Sequence, residues 1–196
     1  MKLIKLFVYL LLFLCLIYPQ DSAKAFDDKT KDTFMGIYEV KQGVLAHDRG
    51  WFGTNREGFG PDYNFELMFS SPSFFSKIGS PMPILGLTQT STGGSSLYYS
   101  GLTWDFNISK KWFFNATTGI AYTNGLEKLP KGQVPTGDKQ IQFGSKLLHR
   151  GAIELGWNFY GKDSISLMFS HVSHGSMLDE KNQGMDEFGI RYGYRF

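Results

Sequence analysis

The sequence predicts an all-β chain folded as an eight-stranded antiparallel transmembrane β-barrel. Three observations lead there. Strand-like segments of about 10 residues recur along the chain, the length a tilted strand needs to cross a bilayer. Within them apolar and polar residues alternate, so that one face is aliphatic and aromatic while the other carries Glu66, Asp105, Arg150, Glu154, Glu187, Arg191 and Arg195. Aromatic residues gather at strand ends, as in Trp112 to Phe114 and Trp157 to Tyr160, where an interfacial girdle would place them. The last segment alternates through Phe188, Ile190, Tyr192 and Tyr194 to Phe196, in the manner of the terminal strand of bacterial outer-membrane barrels. A soluble β-sandwich is the competing architecture, with the charged face in water and the apolar face as core.

The first 25 residues read as a cleaved secretory signal. Met1-Lys-Leu-Ile-Lys5 is a basic start, Leu6 to Ile17 is an apolar core, and Ala23-Lys-Ala25 supplies the small residues of a cleavage site. The apolar stretch is short for a spanning helix, which needs about 20 residues. Residues 26–196 then form one barrel domain. Lys2, Lys5 and Lys24 against Asp21 account for the net charge of +2, so the exported chain is near neutral and nothing in it suggests nucleic acid. The single cysteine, Cys15, leaves with the signal. The domain therefore enters an oxidising compartment without disulfides.

Residues 26–33 form a polar arm, after which the strands follow in order. Residues 35–48 are the first, with an imperfect pattern. Residues 62–70 set Phe65, Leu67 and Phe69 against Asn64, Glu66 and Met68, and residues 83–92 carry Leu85 and Leu87. Residues 95–107 set Tyr98, Leu102, Trp104 and Phe106 against Gly101, Thr103, Asp105 and Asn107. Residues 111–123 put Trp112, Phe114, Ile120 and Tyr122 in phase, and residues 145–159 set Ile153, Leu155, Trp157 and Phe159 against Arg150, Glu154, Gly156 and Asn158. Residues 164–174 and 185–196 complete the set. In a membrane barrel of this size the apolar face meets lipid and the charges pair in a filled interior, which leaves no channel.

The seventh strand carries the candidate chemistry. His171 and Ser173 are two residues apart and share one face, in phase with Ile165, Leu167 and Phe169. A base and a nucleophile must point the same way. With both barrel ends in the periplasm the seventh strand runs outward, so the pair faces lipid at the level of the outer leaflet. A third, orienting member is required. Asp186 is in phase with Phe188 and Ile190, on the same side as His171; Glu187 is in phase with Arg191 and Arg195, inside.

His171-Val-Ser173, Asn182-Gln-Gly-Met-Asp186 and Gly189-Ile-Arg-Tyr-Gly-Tyr-Arg-Phe196 together resemble the C-terminal hairpin of the lipid A 3-O-deacylases, the PagL family of outer-membrane acyloxyacyl hydrolases. Gly43-Val-Leu-Ala-His-Asp48, Phe65-Glu-Leu-Met-Phe69 and Tyr99-Ser-Gly-Leu-Thr-Trp104 resemble strands of the same family. The resemblance implies an eight-stranded outer-membrane barrel that hydrolyses the acyl ester at position 3 of lipid A, the lipid anchor of lipopolysaccharide. It implies His171 as general base, Ser173 as nucleophile and Asp186 as orienter. Two positions depart from the family: the acid is Asp186 where Glu is usual, with one residue more in the loop, and His174 follows the serine where Asn is usual. Oxyanion or substrate contacts then fall to His174 and Gly175, through backbone N–H groups, or to a lipid A phosphate through the His174 ring.

The remaining features have plainer readings. His47-Asp48 lies near the outer end of the first strand and is structural. His149 is in phase with Ile153 and faces outward without a nameable partner. No spacing of the four histidines suggests a metal, and no cofactor is expected. Ser91-Thr-Gly-Gly-Ser95 is a turn. Outer-membrane lipids are the expected partners, and a second copy of the chain, as a homodimer, is a candidate. The competing functions are a non-enzymatic structural or adhesion barrel that keeps the hairpin by descent, and a lipid acyltransferase in which an acceptor replaces water.

Overall fold

A computed structural model describes residues 33–53, 56–58, 60–128, 140–174 and 183–196. The signal read at residues 1–25 and most of the polar arm lie outside them. Eight strands follow one another: β1 Ile37–His47, β2 Pro61–Phe69, β3 Met82–Thr90, β4 Leu97–Asn107, β5 Trp112–Thr123, β6 Leu147–Phe159, β7 Asp163–Ser173 and β8 Met185–Arg195. Each pairs antiparallel with its sequence neighbour, and β1 pairs with β8, from Glu39 opposite Arg195 to His47 opposite Glu187. The sheet is thereby a closed barrel with no free edge, which satisfies every strand's backbone within the wall. No helix among the described residues is long and apolar enough to cross a membrane.

Alternation sorts the side chains as their period of two requires. Val44, Leu85, Ile120, Leu155, Leu167 and Ile190 are exposed on the outer wall. Tyr63, Tyr98 and Tyr122 ring one end of it, and Trp112, Trp157, Tyr192 and Tyr194 ring the other. The interior is packed with charge. Lys41 Nζ donates to Glu154 Oε2 at 2.8 Å, and Arg191 bridges Glu154 and Glu66, the latter at 3.1 Å. The Arg150 guanidinium stacks 4.0 Å from the Tyr99 ring centroid. Eight strands leave a lumen that such side chains fill. Both ends of the eight-stranded wall and the connections after β2, β4 and β6 lie on one side, and the connections after β1, β3, β5 and β7 lie on the other; with the ends on the periplasmic side, as in an even-stranded outer-membrane barrel, β7 runs outward.

Two local features depart from simple alternation. The register of β1 against β2 slips between Ile37 and Glu39, and this bulge turns both Tyr38 and Glu39 inward. Between β2 and β3, where the sequence suggested only a connection, Ser73–Ile78 winds into a 3-10 helix. Pro72 opens it in extended geometry and Gly79 closes it at φ 82°, a left-handed conformation that glycine adopts without strain.

Candidate active site

The outer end of β7 carries the polar side chains. Ile165, Leu167 and Phe169 lead up the outer wall to His171 and Ser173, and the β7–β8 register sets His171 directly opposite Asp186. Facing side chains on adjacent antiparallel strands have Cβ atoms about 5 Å apart, within reach of a hydrogen bond. His171 Nδ1 lies 2.6 Å from Asp186 Oδ1, and His171 Nε2 lies 3.2 Å from Ser173 Oγ. In the tautomer that donates from Nδ1 to the Asp186 carboxyl, the Nε2 lone pair faces the serine hydroxyl. Glu187, one residue on, points into the lumen and accepts from Ser170 Oγ at 2.8 Å.

Asp186 has outward parity yet is 0% exposed. The cause is the β1–β2 loop, which folds over it. Phe52 N–H and Gly53 N–H donate to Asp186 Oδ2 at 2.6 and 2.8 Å, and Arg49 N–H donates to its main-chain carbonyl at 3.1 Å. Gly50 allows the approach: a Cβ there would sit 2.5 Å from Asp186 Cβ and 2.7 Å from its Cγ, closer than side chains tolerate. Trp51 and Phe52 flank the site, with Trp51 5.2 Å from the Phe169 ring and Phe52 5.9 Å from both Phe169 and His171, between ring centroids.

The loop is itself anchored. Asp48 Oδ2 accepts from Arg56 N–H at 2.5 Å and Glu57 N–H at 3.0 Å. Glu57 accepts from Ser95 N–H, Ser95 Oγ and Ile141 N–H, and its Oε2 meets His47 Nε2 at 2.8 Å. His47 Nδ1 meets Asp62 Oδ2 at 2.7 Å, so one buried imidazole joins strand, loop and lumen. Burial raises the Asp48 carboxyl above the ordinary aspartate range despite its two N–H donors. Burial would raise Glu57 too, but hydrogen bonds from His47, Ser95 and Ile141 outweigh it and hold Glu57 below the usual glutamate value.

The structure thus brings His171, Ser173 and Asp186 into one hydrogen-bonded chain. His174 follows them, with its ring buried at the mouth of the barrel, and Gly175 lies outside the described residues. Sequence reasoning missed the cover over Asp186; the glycines of Asp48-Arg-Gly-Trp-Phe-Gly53 are its only local mark. It also left His149 without a partner. In the fold His149 sits opposite Ser173 across the β6–β7 ladder, and its Nε2 shares a 2.9 Å hydrogen bond with Thr118 Oγ1.

A closed barrel with an apolar outer wall and a charged lumen has the build of an integral outer-membrane barrel, and this one gathers polar side chains on its lipid-facing side. Comparison with known proteins narrows this. The family model for lipid A 3-O-deacylase (PagL) matches residues 81–195, and the chain belongs to that family. It is accordingly an outer-membrane lipid A deacylase. The crystal structure of the outer membrane enzyme PagL superposes with a TM-score of 0.56 at 19% identity, covering 81% of this chain and 99% of that one, and shares its fold. The N-terminal β-barrel domain of Pseudomonas aeruginosa OprF is similar at a TM-score of 0.47 and 11% identity, covering 81% of this chain and 99% of that one. Neisserial surface protein A is similar at 0.46 and 10%, covering 82% and 97%. No curated protein sequence matches the chain.

Proposed function

We propose that the deacylase works as a serine esterase on the 3-position ester of lipid A, with Ser173 as nucleophile, His171 as general base and Asp186 as orienter. Ser173 Oγ attacks the acyl carbonyl as His171 Nε2 takes its proton. The tetrahedral oxyanion is held by main-chain N–H donors at His174 and Gly175. As the carbonyl re-forms, the sugar oxygen leaves and accepts the proton from His171, and the fatty acyl group stays esterified to Ser173. Water, deprotonated by the same imidazole, then releases the free acid and restores the serine. Asp186 keeps Nδ1 protonated throughout and stabilises the imidazolium. Export precedes all of this, through cleavage after Ala25 and insertion of residues 26–196 as the barrel.

The observation that carries this reading is the hydrogen-bond chain from Ser173 through His171 to Asp186 on the outer wall, at the end of β7 that reaches the outer leaflet. Substrate lipid there approaches sideways, from within the membrane.

The test is mass spectrometry of lipid A from cells expressing the wild-type chain or Ser173→Ala. The expected result is the loss of one hydroxyacyl mass in the first and an intact spectrum in the second. An unchanged spectrum from both refutes the reading in favour of a structural barrel. An acyl group gained elsewhere on the lipid refutes it in favour of a transferase.

A further inference from the structure

His149 and Thr118 occupy positions that the deacylation scheme above does not use. Both face outward, towards lipid, where polar side chains are costly and rare. Their placement follows from two registers. Thr118 is opposite Gly151, and Gly151 is opposite His171, so Thr118, Gly151, His171 and Asp186 form one continuous row across four strands. The row above it runs from Ile120 through His149 to Ser173.

Adjacent strands are about 4.8 Å apart, so His149 stands one strand from the nucleophile and Thr118 two strands from the base. Between them the outward position belongs to Gly151, which has no side chain. The wall is therefore notched there, with His171 and Ser173 along one side and His149 and Thr118 along the other. His149 Nε2 is engaged with Thr118 Oγ1, while Nδ1 has no protein partner among the described residues.

We propose that this notch is a subsite for a hydroxyl carried on the acyl chain close to the ester, held by the His149–Thr118 pair; the inference rests on Ser173 being the nucleophile. The acyl side is indicated by depth. The headgroup lies towards the outer mouth, beyond Ser173, and the chain descends along the wall past Gly151 to Ile153 and Phe169, which are paired across β6 and β7. A hydroxyl two or three carbons from the carbonyl lies a few ångströms from the reacting centre, level with or just below it. His149 and Thr118 are at that level. Either tautomer of the pair leaves His149 Nδ1 and Thr118 Oγ1 able to bond a hydroxyl in one direction or the other, and an acyl chain without one leaves His149 Nδ1 facing hydrocarbon unsatisfied.

The experiment compares hydrolysis of two synthetic glucosamine lipids in detergent micelles, one esterified with a 3-hydroxyacyl chain and one with the corresponding plain acyl chain. The enzymes are the full barrel, His149→Phe and Thr118→Val, each checked for folding by the mobility difference between heated and unheated samples. The wild type is expected to prefer the hydroxyacyl ester by about tenfold in kcat/KM, the worth of one such hydrogen bond. Each variant is expected to bring that ratio close to one while still cleaving the plain ester. A wild type that cleaves both esters equally, or variants that keep the wild-type ratio, overturns the subsite and leaves the deacylase assignment standing. Loss of the wild-type ratio in Thr118→Val alone, should His149→Phe not fold, still supports the pair. A wild type that cleaves neither ester, or a Ser173→Ala variant that cleaves both, overturns the assignment of Ser173 and this inference with it.

Discussion

Gly50→Ala is expected to disable the enzyme without weakening the barrel. The added methyl would sit 2.5 Å from Asp186 Cβ and 2.7 Å from Cγ, against backbone-anchored atoms that cannot swing aside. Either the loop lifts or the carboxylate turns. Both outcomes break the donations from Phe52 N–H and Gly53 N–H to Asp186 Oδ2. Bonds to a charged acceptor are worth about 1.5–3 kcal/mol each, so the oriented state of Asp186 loses about 3–6 kcal/mol of support. An unsupported acid no longer fixes the His171 tautomer, a fault that costs serine proteases about 10⁴-fold in kcat. Because the displaced aspartate still samples the correct geometry, a fall of about 10² to 10³-fold in kcat is expected, with KM changed far less. The assay is steady-state kinetics on micellar lipid A, run beside urea unfolding of the same preparations. The unfolding midpoint is expected to stay near wild type, since Gly50 lies outside the strands. Wild-type kcat in a folded Gly50→Ala barrel would refute the claim that the loop orients the acid.

Two further outcomes follow from the surroundings of the site. Glu57 is held below its usual value of 4.5, so its anchoring of the loop is complete above about pH 4.5 and is lost as the pH falls through the lower folded value; the hydrogen-exchange protection factors of the Phe52 and Gly53 amides are expected to fall reversibly as Glu57 takes up its proton, and in Glu57→Gln to be low already at pH 7. Arg191→Ala leaves Glu66 and Glu154 facing each other in the lumen with Lys41 as the nearest remaining cation, so it is expected to cost about 3–5 kcal/mol in urea unfolding from lipid vesicles.

The barrel was legible because both of its faces are marked. A strand such as Asn64-Phe-Glu-Leu-Met-Phe69 shows its period of two directly, and the buried charges Glu66, Glu154 and Arg191 rule out neither face until lipid is taken as the outer solvent. The bulge at Tyr38 and Glu39 was not legible, because parity alone does not reveal where a ladder slips. Nor was the 3-10 helix at Ser73–Ile78, six residues whose only signals are the flanking Pro72 and Gly79. For the site, parity reads which residues share a wall, and it separates Asp186 from Glu187. It says nothing of register, so that His171 stands directly opposite Asp186 is a finding of the fold. It also says nothing of cover. The parity of Asp186 suggests contact with lipid, whereas the aspartate is enclosed by a loop more than 130 residues earlier in the chain, a separation no local pattern bridges.

That separation has a consequence for when the enzyme is competent. The aspartate belongs to the last strand and its cover to the first loop, and they meet only across the seam where β1 joins β8, just above the pairing of His47 with Glu187. A chain in transit through the periplasm holds serine and histidine two residues apart, but until the cylinder is sealed its acid lies open to water and unguided. On the triad proposed above, competence is thus tied to completed insertion, and the same seam that finishes the protein as a membrane object switches it on.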